Sequence, residues 1–408
     1  MSMLAEQYEF VIGGDPDRDT VDLAVVDSAT GALRAHLADR ADGAGYARML
    51  AWADSHAPGR RVWALEGTGS FAAGLAVFLA EAGEDVVEIG GVKRQRGAKN
   101  DQIDAARAAR QALAREHQTK VRAHGLREAL RMILTTRQAI LVSRTKAINE
   151  LKGLIVATPE QLRSDLRGCS LARQLDRIEA MRTQPEGAVE HRMAVLTLQS
   201  IAARVRFLSA QVDELDPELM TLLKQHPAGP ALLAEPGVGP VVAAQLLVSW
   251  SHRGRVRSEA AFAALSGTAP LEASSGQRTR HRLNRGGDRD LNRALHTVAI
   301  TRMRCHPETR AYHAKRTAQG KTHRDIRRCL KRALARRLYR RIQAATHQQQ
   351  IPAAASAPDR RRPADPTRRR SDRCAWRTRG SAPRASPGAL GCRGCPPPPT
   401  PLRGSWTA

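Results

Sequence analysis

Apolar and polar positions fall into short β-like runs over the first ninety residues and longer helical ones after them. The segment from Glu9 through Gly14 is apolar and ends at Asp15, and VDLAVVD (21–27) alternates and is β-branched. With the turn-rich DPDRDT between them, the two predict a β-hairpin. RVWAL (61–65), closing on Glu66, and DVVEI (85–89) read as further strands, and 70–82 and the stretch from Asp101 as helices. The order hairpin, strand, helix, strand, helix predicts an α/β domain with a mixed sheet.

Residues 125–155 and 190–225 carry apolar positions three and four apart among many charges. They predict two long helices with too few local partners for a globular core. A coiled coil or helical hairpin used for dimerisation and an ordinary helical domain are both open. From about 230 to 345 a compact, mainly helical domain is expected: a Gly-rich turn entering an apolar helix over 235–250, then helices over 258–265, 287–300 and 322–343. After 345 Arg, Pro, Ala, Ser and Gly dominate, and such a segment buries no core, so a disordered tail is expected. The expected divisions are 1–118, 119–228, 229–345 and 346–408. No stretch approaches the roughly 20 apolar residues of a membrane span. The N-terminus also lacks the basic region and apolar run of a secretory signal, so a soluble, intracellular protein is expected.

Charge sharpens this picture. The net charge is +26, but residues 1–110 are net −5, residues 111–340 net +21 and residues 341–408 net +10. An acidic domain joined to a strongly basic remainder exceeds what solubility requires and points to a polyanion, of which nucleic acid is the usual one. With aromatic residues at 3%, stacking of bases on aromatic platforms is not the expected mode of binding. Six cysteines show no four-ligand zinc spacing and read as free thiols.

Four acids are the candidate chemistry of the first domain. Asp15 and Glu66 each end an apolar strand, where functional groups of an α/β sheet gather. Asp101 and Asp104 lie three apart at the start of a helix and share a face. Together they would repel one another unless a cation intervened, and a pair of Mg2+ ions would neutralise them and assist phosphodiester chemistry. Singly, each has a plainer reading: Asp15 a turn residue, Asp101 a helix cap, Asp104 an exposed helix acid. The order strand-end Asp, strand-end Glu, helical DxxD is that of a ribonuclease-H-like fold.

The segment LSGTAPLEASSGQRTRHRLNRGGDRDLNRALH (265–296) sets Ser274, Ser275 and Gly276 before Arg278, Arg280, Arg282 and Arg285. An arginine cluster could hold a phosphate for an activated serine. A Ser–Gly loop beside a DNA-binding surface is an equal reading from these residues alone. In PGVGPVVAAQLL, Gly237 and Gly239 would admit a phosphate to backbone N–H groups as in a helix-hairpin-helix turn. A plain helix-entry turn packed on the core is the alternative.

Taken together, GGDPDRDT, ALEGTGS, KNDQIDAAR, PGVGPVVAAQLL and GTAPLEASSGQRTRHRLNRGG resemble the DEDD insertion-sequence transposases, the bridge-RNA-guided recombinases, over about residues 9–345. The resemblance implies a RuvC-like domain, a coiled-coil linker and a C-terminal serine transposase domain. It implies that Asp15, Glu66, Asp101 and Asp104 bind metal. It also implies a nucleophilic serine in the SSG motif, with Ser275 preferred over Ser274, that links covalently to DNA. Further implications are donor and target DNA, a structured non-coding guide RNA, a homodimer or homotetramer, and a cytoplasmic, nucleoid-associated place in a bacterium. The competing expectation is a RuvC-like metal-dependent nuclease or Holliday-junction resolvase, which needs the acids but not the serine. A departure stands at Gly13–Gly14, where a β-branched residue would suit a strand better.

Overall fold

The computed structural model describes residues 3–90, 101–182, 188–274, 276 and 281–348. A one-turn helix α1 (Leu4–Gln7) leads into β1 (Phe10–Pro16), β2 (Thr20–Asp27) and β3 (Leu33–Arg40). Helix α2 (Gly43–His56), capped by Asp42, returns the chain to β4 (Arg61–Glu66). Then come α3 (Ala73–Glu81), β5 (Val86–Ile89), α4 (Asp101–Leu113) and the short β6 (Thr119–Lys120). The six strands form one sheet in the order β3-β2-β1-β4-β5-β6. β1, β2 and β3 pair antiparallel, β1, β4 and β5 parallel, and β6 closes the edge antiparallel. The mixed α/β region is thus as expected and is consistent with a ribonuclease-H-like fold.

Alternation along the strands writes two faces. Ile12, Val21, Leu23, Val25, Trp63 and Leu65 point to one side, where Met49 and Ala53 of α2 and Leu75 and Leu79 of α3 bury them. Val11, Val26, Val62 and Ala64 point to the other and meet Ala108, Ala109 and Ala112 of α4. The sheet region also holds elements that were not foreseen: β3 and α2, which fill the interval between Asp27 and Arg61, and the short α1 and β6.

Helix α5 (Leu126–Ala157) and helix α8 (Val189–Gln225) pack along one another as a hairpin, with α6 (Glu160–Leu166) and α7 (Leu171–Ala180) between them in sequence. The expectation that the long helices lack local partners is corrected. Ala147, Leu151, Leu166, Ile178, Leu198, Ala202 and Val205 form a small core of their own, because α6 and α7 supply the apolar faces.

The remainder is mainly helical: α9 (Gly229–Leu233), α10 (Pro240–Trp250), α11 (Glu259–Leu265), α12 (Arg289–Cys305), α13 (Pro307–Ala318) and α14 (His323–Gln348). Between α11 and α12 lies a small hairpin, β7 (Leu271–Glu272) with β8 (His281–Arg282). The apolar face of α10 is the centre of this region, ringed by Phe262, Leu291, Leu295, Val298, Leu334, Leu338 and Ile342. Leu130 of α5 and Leu219 and Leu223 of α8 join the same core, so the foot of the long hairpin is continuous with it. Among the described residues no helix is long and apolar enough to cross a membrane.

Candidate acid site and basic cleft

The parallel register of β1 and β4 sets Gly14 opposite Leu65, which makes Asp15 and Glu66 the next residues on two adjacent strands at their carboxyl ends. Period-two alternation puts Asp15 on the face of Val11 and Gly13, and Glu66 on that of Val62 and Ala64. Both therefore lie on the side that α4 covers. Gly13 explains how α4 comes so near. A Cβ at Gly13 would sit 2.6 Å from the backbone nitrogen of Ala109 and nearer still to the carbonyl oxygen of Ala105. A β-branched residue would suit an isolated strand, but here the backbone of α4 occupies its place. Asp104 directly precedes Ala105, so the same close approach brings the first turns of α4 to the strand ends.

Two of the plainer readings fall. Asp15 is inside β1, not in a turn, and the Asp104 side chain is only 19% exposed. Asp104 is ion-paired with Arg107, one turn further along α4. Asp101 is the first residue of α4, and its side chain lies outside the described residues. A fifth acid was missed. Asp22 is the cross-strand partner of Asp15 in the hairpin, shares its face, and holds His36 of β3 at 3.1 Å. The signal was available, because in VDLAVVD the apolar Val21, Leu23 and Val25 leave Asp22 on the opposite face with Ala24.

Carboxylate oxygens are the donor set that Mg2+ prefers. Asp15, Glu66 and Asp104 fit that preference in type and in being half-buried on one face. Among the described residues, no three side chains close into a ready-made ligand set. Arg107 occupies Asp104 instead.

In the C-terminal region, Ser274 is exposed, two residues past β7. Ser275, Arg278 and Arg280 lie outside the described residues. Arg282 ends β8, and with Arg285 it lines a cleft of about 670 Å³ between the small hairpin, the start of α12 and the first turns of α14. Gly237 and Gly239 take different parts. Gly237 has φ +77 and presses on α12, where a Cβ would meet Thr301 and Arg302 at 3.3–3.4 Å. That favours the packed-turn reading for Gly237. Gly239 opens α10, and nothing lies within 4 Å of where its Cβ would be.

The same turn rests on a buried charge cluster. Glu235, its side chain 1% exposed, accepts hydrogen bonds from Arg302 at 2.8 Å and Arg341 at 2.7 Å. Burial alone would push the Glu235 carboxyl up. The bonds from Arg341 and Arg302, with the charge of Arg337, outweigh it and hold the carboxyl below its ordinary range. Arg302 also donates to the carbonyl of Pro236 at 2.7 Å, fixing the turn to α12.

An α/β sheet with acids at adjacent parallel strand ends, followed by a basic helical unit, is the layout of the insertion-sequence transposases of the DEDD type. A family profile of that type, described as Transposase, matches residues 12–158, and one described as Transposase IS116/IS110/IS902 family matches residues 230–314. The chain belongs to the IS110 family of DEDD transposases. It is 34% identical over 129 residues to an uncharacterized 43.6 kDa protein of insertion element IS110 from Streptomyces coelicolor, covering 31% of this chain and 32% of that one. It is 25% identical over 313 residues to an uncharacterized 42 kDa protein of insertion element IS900 from Mycobacterium paratuberculosis, covering 65% and 78%. It is 27% identical over 172 residues to the transposase of IS1328 from Yersinia enterocolitica, covering 41% and 48%. The match to the first of these thus spans about a third of that relative's length.

Proposed function

We propose that this chain is a DNA recombinase that excises and inserts an insertion sequence through a serine ester, with a structured non-coding RNA selecting donor and target. The observation that carries this reading is the strand register that sets Asp15 beside Glu66 on the face covered by α4. Asp15, Glu66, Asp101 and Asp104 would hold Mg2+, which when bound supplies electrostatic stabilisation of the attacked phosphate. The Ser275 Oγ, or that of Ser274, forms the new O–P bond, the P–O bond to the sugar breaks, and the serine proton ends on the departing hydroxyl. The reverse reaction reseals the strand with no external energy source, because one phosphate ester replaces another. Arg282 and Arg285, both exposed, and the Gly239 end of α10 would hold DNA backbone.

A homodimer or homotetramer forms through the long hairpin. Val142, Leu196 and Phe207 leave 56–63% of their surface uncovered on α5 and α8, more apolar exposure than a solvated helix face needs. The chain acts in the bacterial cytoplasm, where its DNA lies.

The test is denaturing electrophoresis of labelled DNA incubated with the protein and its RNA. Ser275→Ala should abolish both strand cleavage and the protein–DNA adduct while nucleic-acid binding survives. Ser274→Ala should be milder. Wild-type cleavage by the Ser274/Ser275 double alanine variant would overturn the serine mechanism in favour of a RuvC-like nuclease that uses water.

A further inference from the structure

The cleft beside the small hairpin is more basic than its two foreseen arginines. Arg282 and Arg285 come from the hairpin side, Arg289 from α12, and Arg324, Arg327 and Lys331 from α14. Among the described residues none of these six has a carboxylate partner. Arg328, which also lines the cleft, pairs with Asp325. The other acid at the rim is already engaged. Asp288 caps α12 through the backbone nitrogens of Asp290 and Leu291, and accepts from Ser249 at 2.6 Å. Some arginines elsewhere are matched: on α8, Arg204 pairs with Glu150, and Arg206 with Asp176 and Glu179. Several cations without a carboxylate partner thus line one concave place, where like charges repel unless an anion arrives.

One of these cations is built in. Lys331 is half-buried and donates to the Asn292 side-chain oxygen at 2.5 Å. The Asn292 amide donates in turn to the carbonyl of Ser266 at 2.6 Å. The ammonium is thus held by a relay from two neighbouring elements instead of waving in solvent. Burial first, and then the charge of Arg327, push its pKa down, as expected of an ammonium that lacks a counter-ion. The cleft also adjoins the hairpin that leads to Ser274. Arg282 pairs across the hairpin with Leu271, and Ser274 is three residues beyond Leu271, within about 11 Å of it along the chain.

We propose that this cleft seats a DNA backbone phosphate next to the one the serine attacks, with Lys331, oriented by Asn292, as its central ligand and Arg324 and Arg327 flanking it. DNA is the expected occupant because a strand bound at Ser274 would be within reach of the cleft through the β7–β8 hairpin. This assignment rests on the serine recombinase reading, yet binding can be measured without chemistry.

The experiment is fluorescence anisotropy of the full chain with labelled duplex DNA, titrated over salt concentration. Lys331→Met and Arg327→Gln should each lower the slope of log K against log salt by about 0.9, one phosphate contact apiece, and the double variant by about twice that. Arg204→Gln, whose charge is already paired on the hairpin, should leave the slope unchanged. Thermal melting should show the cleft variants no less stable than wild type, since each removes a like charge from a crowd. A wild-type slope in the double variant overturns the proposal. An equal loss on a structured RNA overturns the assignment to DNA. Slope loss in Lys331→Met, with cleavage surviving in the serine variants, leaves the cleft standing and removes the serine reading. An unchanged slope with the adduct still formed does the opposite.

Discussion

The acid site depends on a residue with no side chain, and Gly13→Ala tests how strictly. The added Cβ would lie 2.6 Å from the Ala109 nitrogen and closer to the Ala105 oxygen. An ordinary C···O approach is about 3.3 Å or more. Both obstructing atoms are helix backbone, so no rotamer change relieves them, and α4 must retreat by roughly 1 Å. Overpacking of this kind costs about 1–3 kcal/mol. The functional cost is larger, because Asp104 rides on the turn that retreats while Asp15 and Glu66 stay on the sheet. A displacement near 1 Å can lower a rate by about 10²-fold. Gly14→Ala is the control. Its Cβ faces the other side and meets the ends of two leucine side chains, Leu65 at 2.6 Å and Leu23 at 3.3 Å. Those ends can swing away, so DNA cleavage should be nearly preserved. Urea unfolding and DNA cleavage by both variants decide the matter. Wild-type cleavage by Gly13→Ala, or greater harm from Gly14→Ala, would refute the argument that α4 is seated by Gly13.

His226 ends α8 in the core, and its Nδ1 accepts from the Ala228 nitrogen at 3.1 Å. Burial holds its pKa down to about 4, below the unfolded value of 6.5. Its contribution is therefore complete above pH 6.5 and is lost as pH falls towards 4, about 3 kcal/mol in all. His226→Asn should flatten that acid limb in urea melts, and an unchanged limb would refute the assignment. Glu235→Gln leaves the guanidinium of Arg302, 4% exposed, without its charged partner. Breaking such a buried pair should cost about 3–5 kcal/mol in urea unfolding, and a loss below about 1 kcal/mol would show that Arg302 does not depend on the carboxylate charge.

How much of this was legible in the sequence depended on whether burial had written a pattern. The strands β1, β2 and β4 and the helices α5, α8, α10 and α14 bury one or both faces, and their periodicity showed. β3 is an edge strand bearing Arg34, His36, Asp39 and Arg40 and is exposed along much of its length. Its apolar stripe is reduced to the half-buried Ala35 and Leu37, set among charges, and it went unread. Helix α2 does place Tyr46, Met49 and Ala53 at helical spacing, but it was lost in the same unread interval. The four acids could be singled out because strand ends and helix starts are marked in the sequence. Asp22 was not, because it becomes a neighbour of Asp15 only through pairing. The basic cleft was seen only in part. Arg282 and Arg285 stand in the basic run, whereas Lys331 and Arg327 sit on a helix some forty residues away and looked like its solvated face.

The contacts that join the acid sheet to the basic helical unit are of this non-local kind, and they constrain how the two can act together. Glu88 of β5, its side chain 13% exposed, is held by Arg255 at 2.8 Å and by Arg122 at 3.4 Å. The ring of His252 lies 2.9 Å from the carbonyl of Val121, and Arg255 also donates to the carbonyl of Lys120 in β6. Ser251 is held at φ 69 while its hydroxyl accepts from the Ala123 nitrogen at 2.9 Å. A non-glycine residue in that region costs about 1–3 kcal/mol and persists only where its surroundings enforce it. A hinge between β6 and α5 would have to break a half-buried ion pair and several side-chain bonds to backbone at once. The joint is therefore a poor place for large motion. If acids and serine act on one phosphate, the closing movement must come from the hairpin tip or from a second copy of the chain. The second route agrees with the uncovered apolar positions on α5 and α8. On that route the long hairpin has a mechanical role, placing the basic cleft of one protomer against the acids of its partner.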